Sequence, residues 1–183
     1  MIPTRQECLI LIEQYEVLPH IVRHSKIVTQ VALLLGHKLN DGGCHLNLDL
    51  VEAGALLHDI TKTASLQTKE NHAHTGAELL ISLGYPAVAD VVRQHITLDP
   101  QALYPDSISE AELVNYADKR VKHEEVVGIE ERFRDIKERY ITKFPALEER
   151  FEEVRLETQA LEERIFSRID ISPEQVHTMV SEP

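Results

Sequence analysis

His58 and Asp59 stand side by side where the apolar stretch Gly54-Ala55-Leu56-Leu57 gives way to Ile60-Thr61-Lys62. An imidazole and a carboxylate in apolar surroundings are costly to bury unless each has a partner. A transition-metal cation engages both, through a ring nitrogen and a carboxylate oxygen. Other segments offer groups of the same kind. His24 shares a helical face with Ile27, Val28 and Val31; His72 and His74 precede Gly76-Ala77; His95 lies on the face of Val88, Val91 and Val92; Asp118 follows Leu113, Val114 and Ala117. An aspartate on an inward face needs a cation or several donors. The bland reading is a set of unrelated, separately satisfied polar residues. The sharper one is convergence in the core of a bundle, as in carboxylate-bridged dimetal proteins.

Helices must aim these groups. Cys8, Leu9, Leu11, Ile12 and Tyr15 predict a short amphipathic helix, and Pro19 starts a second whose apolar residues keep a helical period through Lys38. Asn40-Asp41-Gly42-Gly43 reads as a loop. Asp49 with Glu52 resembles a capping box for the helix that ends at the doublet. Consecutive helical residues diverge by about 100°, so His58 and Asp59 reach one point only near a helix end. The polar run from Ile60 to Asn71 reads as irregular. Ala73 to Leu83 predicts a helix stopped by Gly84, and Pro86 starts another that runs to about His95. Asp99 to Asp106 reads as a loop positioned to act as a lid, and Ser109 with Glu112 as a capping box.

Beyond Glu124, the series Ile129, Phe133, Ile136, Tyr140 and then Leu147, Phe151, Val154, Leu161, Ile165 predicts two long helices with charged outer faces. They pack either on the domain or as a seam between two copies, which makes a homodimer one expected arrangement. Without a repeat or strand alternation, the expected fold is all-α: a functional domain at 1–124 and a helical appendage at 125–183.

Composition narrows the function classes. The 5% aromatic content, the absence of tryptophan and the scarcity of glycine favour helices. A formal charge of −12 argues against broad nucleic-acid or membrane-surface binding. It leaves room for a small phosphorylated substrate, because bound metal ions invert the local field. Met1 to Val17 has no cationic targeting pattern, and no apolar run approaches the roughly 20 residues of a membrane span. Cys8 and Cys44 are therefore expected to be free thiols in a cytoplasmic protein.

The order His…His-Asp…Asp resembles the HD-domain superfamily of metal-dependent phosphohydrolases, all-α proteins named for the doublet that stands here as His58-Asp59. The likeness covers roughly His20 to Lys122. It implies that His24, His58, Asp59 and Asp118 hold one metal. Two-metal members add a histidine four residues before a Gly-Ala pair and another some twenty residues on, which implies His72 and His95, with Asp59 bridging both ions. On that spacing His72 is preferred to His74. Arg23-His24-Ser25, Leu56-Leu57-His58-Asp59 with Lys62, and Ala117-Asp118 look most like the small stand-alone HD hydrolases, including the symmetrical diadenosine tetraphosphate hydrolase group. Gly84-Tyr85-Pro86 invites comparison with the cyclic-di-GMP phosphodiesterase branch, but there the tripeptide follows a paired histidine motif, whereas here it precedes the lone His95.

Histidine plus carboxylate ligation suits Fe, Mn, Ni, Co or Zn better than an all-oxygen Mg site. The resemblance favours iron or manganese, as one or two ions. Such ions activate water and clamp the oxygens of an in-line transition state, which is what cleavage of a phosphate ester or anhydride needs. Lys62, about one turn past Asp59, is expected to bind a substrate phosphate or the leaving oxygen. Arg23 is a second expected phosphate contact, and Lys119 and Arg120 are further candidates. His20 and His24 have a zinc-holding spacing, but Ile21 stands where a zinc peptidase needs glutamate. His37, His45, His123 and His177 read as exposed residues without a role. The expected function is a phosphohydrolase acting on a nucleotide or related small phosphate compound. The alternative is a non-catalytic metal- or nucleotide-binding sensor that works through the C-terminal helices.

Overall fold

A computed structural model describes residues 1–99 and 107–180. The fold is all-α. In chain order the helices are α1 (Arg5–Gln14), α2 (Pro19–Asp41), α3 (Leu48–Leu57), α4 (Lys62–Thr68), α5 (His72–Ser82), α6 (Pro86–Gln94), α7 (Glu110–Lys119), α8 (Ile129–Ile136), α9 (Glu148–Phe166) and α10 (Gln175–Met179). A small antiparallel hairpin, β1 (Val121–Lys122) with β2 (Glu125–Val126), separates α7 from α8.

Helix α3 is the centre of the bundle. It packs against α1, α2, α6 and α7. Val51, Ala53, Gly54, Ala55, Leu56 and Leu57 are all buried, so it is apolar nearly all round, as a helix inside a bundle must be. One apolar cluster joins Val51 and Ala55 to α2 and α7, and continues through Ile129, Phe133, Phe151, Leu161 and Ile165. The other joins Ala53, Leu56 and Leu57 to α1, α5 and α6. The C-terminal helices thus share a core with the segments before residue 124.

Local signals explain most of the boundaries. Ser109 and Glu112 form the expected capping box, Pro19 and Pro86 open α2 and α6, and Gly84 follows α5 with φ +84°. Thr4 and Glu7 form a second capping box on α1. Four expectations are corrected. The cap of α3 is Asn47, whose side chain accepts from Leu50 N, so Asp49 and Glu52 lie inside the helix. The run after Ile60 contains α4, which buries no residue and so leaves no apolar stripe to read. Residues 121–126 form the hairpin, with His123 at φ +56° in its turn. Of the two tail helices, the first is shorter than expected: α8 ends at Ile136 and passes into a π-helical turn (Lys137–Ile141), and a 3₁₀ turn begun by Pro145 leads into the long α9. Most of the expected lid loop, 100–106, lies outside the described residues.

Helices α3 and α6 approach closely at Gly54. A Cβ there would lie 2.5 Å from Val91 Cγ1. Gly54→Ala is expected to destabilise the protein by about 1–3 kcal/mol through overpacking, despite the roughly 1 kcal/mol that alanine gains in helix propensity. Urea denaturation with an unchanged slope checks this. Cys8 and Cys44 are free thiols. Burial, with Glu52 and Glu7 nearby, pushes the Cys8 thiol up to about 12. A disulfide reagent at neutral pH should therefore label Cys44 in the native protein, and Cys8 only after unfolding.

Candidate metal centre

The last turn of α3 carries the doublet into the middle of the bundle. Helix α3 ends at Leu57, and His58 keeps right-handed helical dihedrals. The chain then tightens, with Ile60 N donating to Leu57 O at 3.0 Å and Lys62 N to Asp59 O at 2.9 Å. Those short-range bonds turn the backbone so that two consecutive side chains converge: His58 Nε2 stands 3.3 Å from Asp59 Oδ2. His58 is fully buried and Asp59 is 1% exposed.

The other elements close around this pair. Helix α2 brings His24, whose Nε2 lies 2.9 Å from Asp118 Oδ1 at the end of α7. The same Asp118 oxygen is 3.6 Å from His58 Nε2. On the opposite side, the first residue of α5, His72, places Nε2 3.1 Å from Asp59 Oδ1, and His95, just past α6, places Nε2 3.6 Å from it. The ligand-type atoms fall into two groups, His24-His58-Asp118 and Asp59-His72-His95, each with its atoms within 4.8 Å of one another. The two Asp59 oxygens face different histidines: Oδ2 meets His58 and Oδ1 meets His72 and His95.

The proton positions suit metal binding. A carbonyl only accepts, so Nδ1 carries the proton wherever it meets one: His24 Nδ1 donates to His123 O (2.8 Å), His58 Nδ1 to Ala55 O (2.8 Å) and His95 Nδ1 to Val92 O (2.6 Å). Each Nε2 lone pair is then turned inward, as metal-ligating histidines require. His58 Nε2 and Asp59 Oδ1 are buried without a hydrogen bond, because their close neighbours are misaligned. His72 Nε2 and His95 Nε2 face each other at 3.2 Å. Orphaned polar atoms and opposed ring nitrogens in one buried cluster fit cations held between them.

A supporting layer fixes the aim. Thr61 Oγ1 donates to His72 O at 2.9 Å. Asn115 Nδ2 donates to Gln94 O and His95 O, and the buried Lys119 ammonium donates to His95 O. Electrostatics follow the geometry. Burial disfavours the charged form of His58, but Asp59 and then Asp118 outweigh it and hold the imidazolium above its ordinary value. Burial works against the Asp59 carboxylate too, yet His58 and Lys62 keep it well below the usual range. For Asp118, the His24 hydrogen bond and the His58 charge likewise overcome burial. Burial, then the His58 charge, pushes His95 down to about 3, leaving a neutral ring.

The six residues expected as metal ligands fall in these two groups, and the exposed His74 does not join them. Lys62 Nζ pairs with Asp59 Oδ2 at 2.7 Å. Arg23 is at the surface, paired with Glu124 at 2.8 Å. Lys119 and Arg120 are corrected from candidate substrate contacts to buried fasteners: Lys119 holds carbonyls, and Arg120 binds Tyr116, Val127 O and Pro173 O. The structure adds a role for His123, whose backbone carbonyl orients His24; no side-chain pattern could reveal it.

The HD domain family model matches residues 21–171, and the chain belongs to this family. HD domains bind divalent metal ions, and members are typically metal-dependent hydrolases. The chain is 32% identical to a tRNA (cytidine(56)-2'-O)-methyltransferase of Thermoplasma volcanium over 69% of its length, and 35% identical to Ribonuclease Y of Treponema denticola over 42%. It spans 41% of the methyltransferase and 14% of Ribonuclease Y. No solved structure matches the chain. The match to 21–171 crosses the boundary expected at 124.

Proton and metal compete for the His58 Nε2 lone pair. The folded-state value of His58 is raised, so the proton is held in acid and released as pH rises through that value. Mn²⁺ affinity should therefore fall about 10-fold per pH unit below it and level off above. Titration calorimetry between about pH 5.5 and 8, spanning the ordinary histidine range, reads this out.

Proposed function

We propose that the protein is a metal-dependent phosphohydrolase that cleaves a phosphate ester or anhydride of a nucleotide or related small phosphate compound with a metal-activated water. The observation that carries this reading is the split of the buried Asp59 carboxylate between two ligand groups: one oxygen toward His58, the other toward His72 and His95. In it, His24, His58, Asp59 and Asp118 hold one divalent ion, and Asp59, His72 and His95 hold a second. Bound ions supply a nucleophile at neutral pH and compensate the charge on the phosphoryl group. Iron or manganese fits the mixed imidazole and carboxylate donors.

The side chains have separable tasks. Asp59 and Asp118 provide the negative charge that retains cations. The carbonyl-bonded Nδ1 protons hold the rings of His24, His58 and His95 in the ligating tautomer. Lys62 is 37% exposed at its side chain while its ammonium reaches Asp59, so it spans the distance from ligand to solvent. Its role is to bind a substrate phosphoryl oxygen or stabilise the leaving oxygen. Arg23 is the outer phosphate contact, released from Glu124 when substrate arrives. A phosphodiester of RNA is the second substrate reading, favoured by the RNA-related names of both relatives. The formal charge of −12 weighs against a long polyanion.

Metal-dependent phosphate release from a panel of nucleotides and short RNA ends tests the activity and separates the two substrates. Asp59→Ala should lose bound metal and lower hydrolysis by more than about 100-fold. Lys62→Ala should keep its metal and lose about 100-fold in kcat/KM. Full activity in Asp59→Ala would refute the metal assignment.

A further inference from the structure

The start of α5 and the end of α6 border a cavity of about 400 Å³. Its wall includes Asn71 and Ala73, the two chain neighbours of His72, and Ile96, the residue after His95. Those two ligand-type histidines face each other at Nε2 across 3.2 Å, so the cavity wall runs one residue away from both. Consecutive Cα atoms are about 3.8 Å apart, which sets the scale of that separation. His72 also has the most exposed side chain of the six ligand-type residues, at 21% against 16% for Asp118 and less for the others. The centre is thus most accessible to solvent at the first turn of α5, the turn that borders the cavity.

On a chain of formal charge −12, this wall is cationic. Arg93 of α6, His74 of α5 and, from far along the sequence, Arg150 of α9 line it. The two arginines are used differently. Arg93 is engaged on both terminal nitrogens: Nη1 and Nη2 donate to the two oxygens of Asp99 at 2.9 and 2.7 Å, and Nη2 also to Asp90 Oδ1 at 2.8 Å. Asp99 N donates to Gln94 Oε1 at 3.2 Å, so the fork fastens the segment that follows His95 and neutralises the one carboxylate among the described lining residues. Arg150 is held by one corner. Its Nη1 donates to Glu153 Oε2 at 2.8 Å and Glu157 Oε1 at 3.3 Å, both on α9 itself. Among the described residues, its Nε–Nη2 edge has no partner. Adjacent N–H groups of a planar guanidinium match two oxygens of one phosphoryl group, whereas an ammonium acts as a point charge. Exposed ion pairs such as Arg150 with Glu153 add little to stability, while cations gathered on a concave wall attract anionic ligands.

We propose that this cavity is a subsite for a second phosphate of the substrate, with Arg150 as its specificity-determining ligand through Nε and Nη2. This deepens the phosphohydrolase reading and rests on it: one phosphoryl group occupies the metal centre, and the next group of the same chain reaches the cavity past His72. Such a substrate carries at least two linked phosphates. The class is therefore a nucleoside polyphosphate, cleaved at an anhydride, rather than an ester with a single phosphate. Glu153 and Glu157 are positioning residues that hold the guanidinium by Nη1, and Asp99 with Arg93 positions the wall. His74, which has no place among the metal ligands, adds a donor at the cavity.

The test titrates the full chain, loaded with Mn²⁺, by calorimetry with AMP and with α,β-methylene-ADP, which adds one phosphate that cannot be cut off. Metal content is measured by elemental analysis. Arg150→Met keeps the aliphatic stem and removes the donors; Arg150→Lys keeps the charge and removes the planar fork. The expected result is that wild-type protein prefers α,β-methylene-ADP over AMP by about 10-fold or more, and that Arg150→Met loses most of this preference at unchanged Mn²⁺ content. Arg150→Lys should keep part of it. If Arg150→Met fails to fold, a reduced preference in Arg150→Lys at unchanged metal content is the supporting result. Equal binding of the two nucleotides by wild-type protein, binding of neither, or a full preference in a folded Arg150→Met overturns the subsite and leaves the metal centre standing. Loss of metal from the variants also overturns it, since Arg150 would then support the ligands. Wild-type protein that takes up no divalent ion overturns the phosphohydrolase reading, and the subsite falls with it.

Discussion

A carboxylate with 1% exposure at the centre of a helical bundle is the constraint around which this protein is organised. Buried without partners, the Asp59 anion would be strongly destabilising. The fold surrounds it with His58, His72, His95 and Lys62, one from the same turn and the others from the starts of α4 and α5 and the end of α6. Helix ends suit this purpose, because a side chain there is not confined to one stripe. Helix α3 is buried on nearly every side because its last turn must end in the middle of the molecule. Gly54, one turn before His58, removes the side chain that would hold α6 away.

The segments after α7 complete this centre as well as extending the core. The hairpin turn returns its His123 carbonyl to His24, fixing which ring nitrogen faces Asp118. Arg120 ties Tyr116 on α7 to Val127 and Pro173, so the hairpin and the C-terminal segment are fastened to the helix that carries Asp118. Helix α8 then lays Ile129 and Phe133 on the shared core. The formal charge of −12 is compatible with the phosphohydrolase proposed above, because divalent ions held at this centre would act at short range and low dielectric, where they would outweigh distant screened charges.

Much of this was legible in the residue order. The helices with a buried stripe, α2, α5, α6 and α7, could be read from apolar spacing, from Pro19 and Pro86 at their starts, and from Ser109 with Glu112. Where the reading missed, periodicity had nothing to report. Helix α4 buries no side chain. The hairpin strands are two residues each, too short to alternate. Asn47 caps α3 alone, without the glutamate three residues on that marks a box. The apolar spacing through Tyr140 breaks at a π-helical turn, which ends the α-helix and buries Ile141 while Tyr140 is exposed. Lys119 and Arg120 read as candidate phosphate contacts because charge is a poor guide to burial when backbone carbonyls provide acceptors.

The sequence by itself determined the donor types, their order and the inward faces that carry them, because helical periodicity relates each side chain to its own axis. It could not relate one axis to another. Only the tertiary structure decided that Asp59 turns one oxygen to His58 and the other to His72 and His95, and that His72 joins the ligand cluster while His74 stays exposed. Those outcomes depend on interhelical distance and rotation. Close packing sets both, through contacts such as Gly54 against Val91 that link residues far apart in the chain.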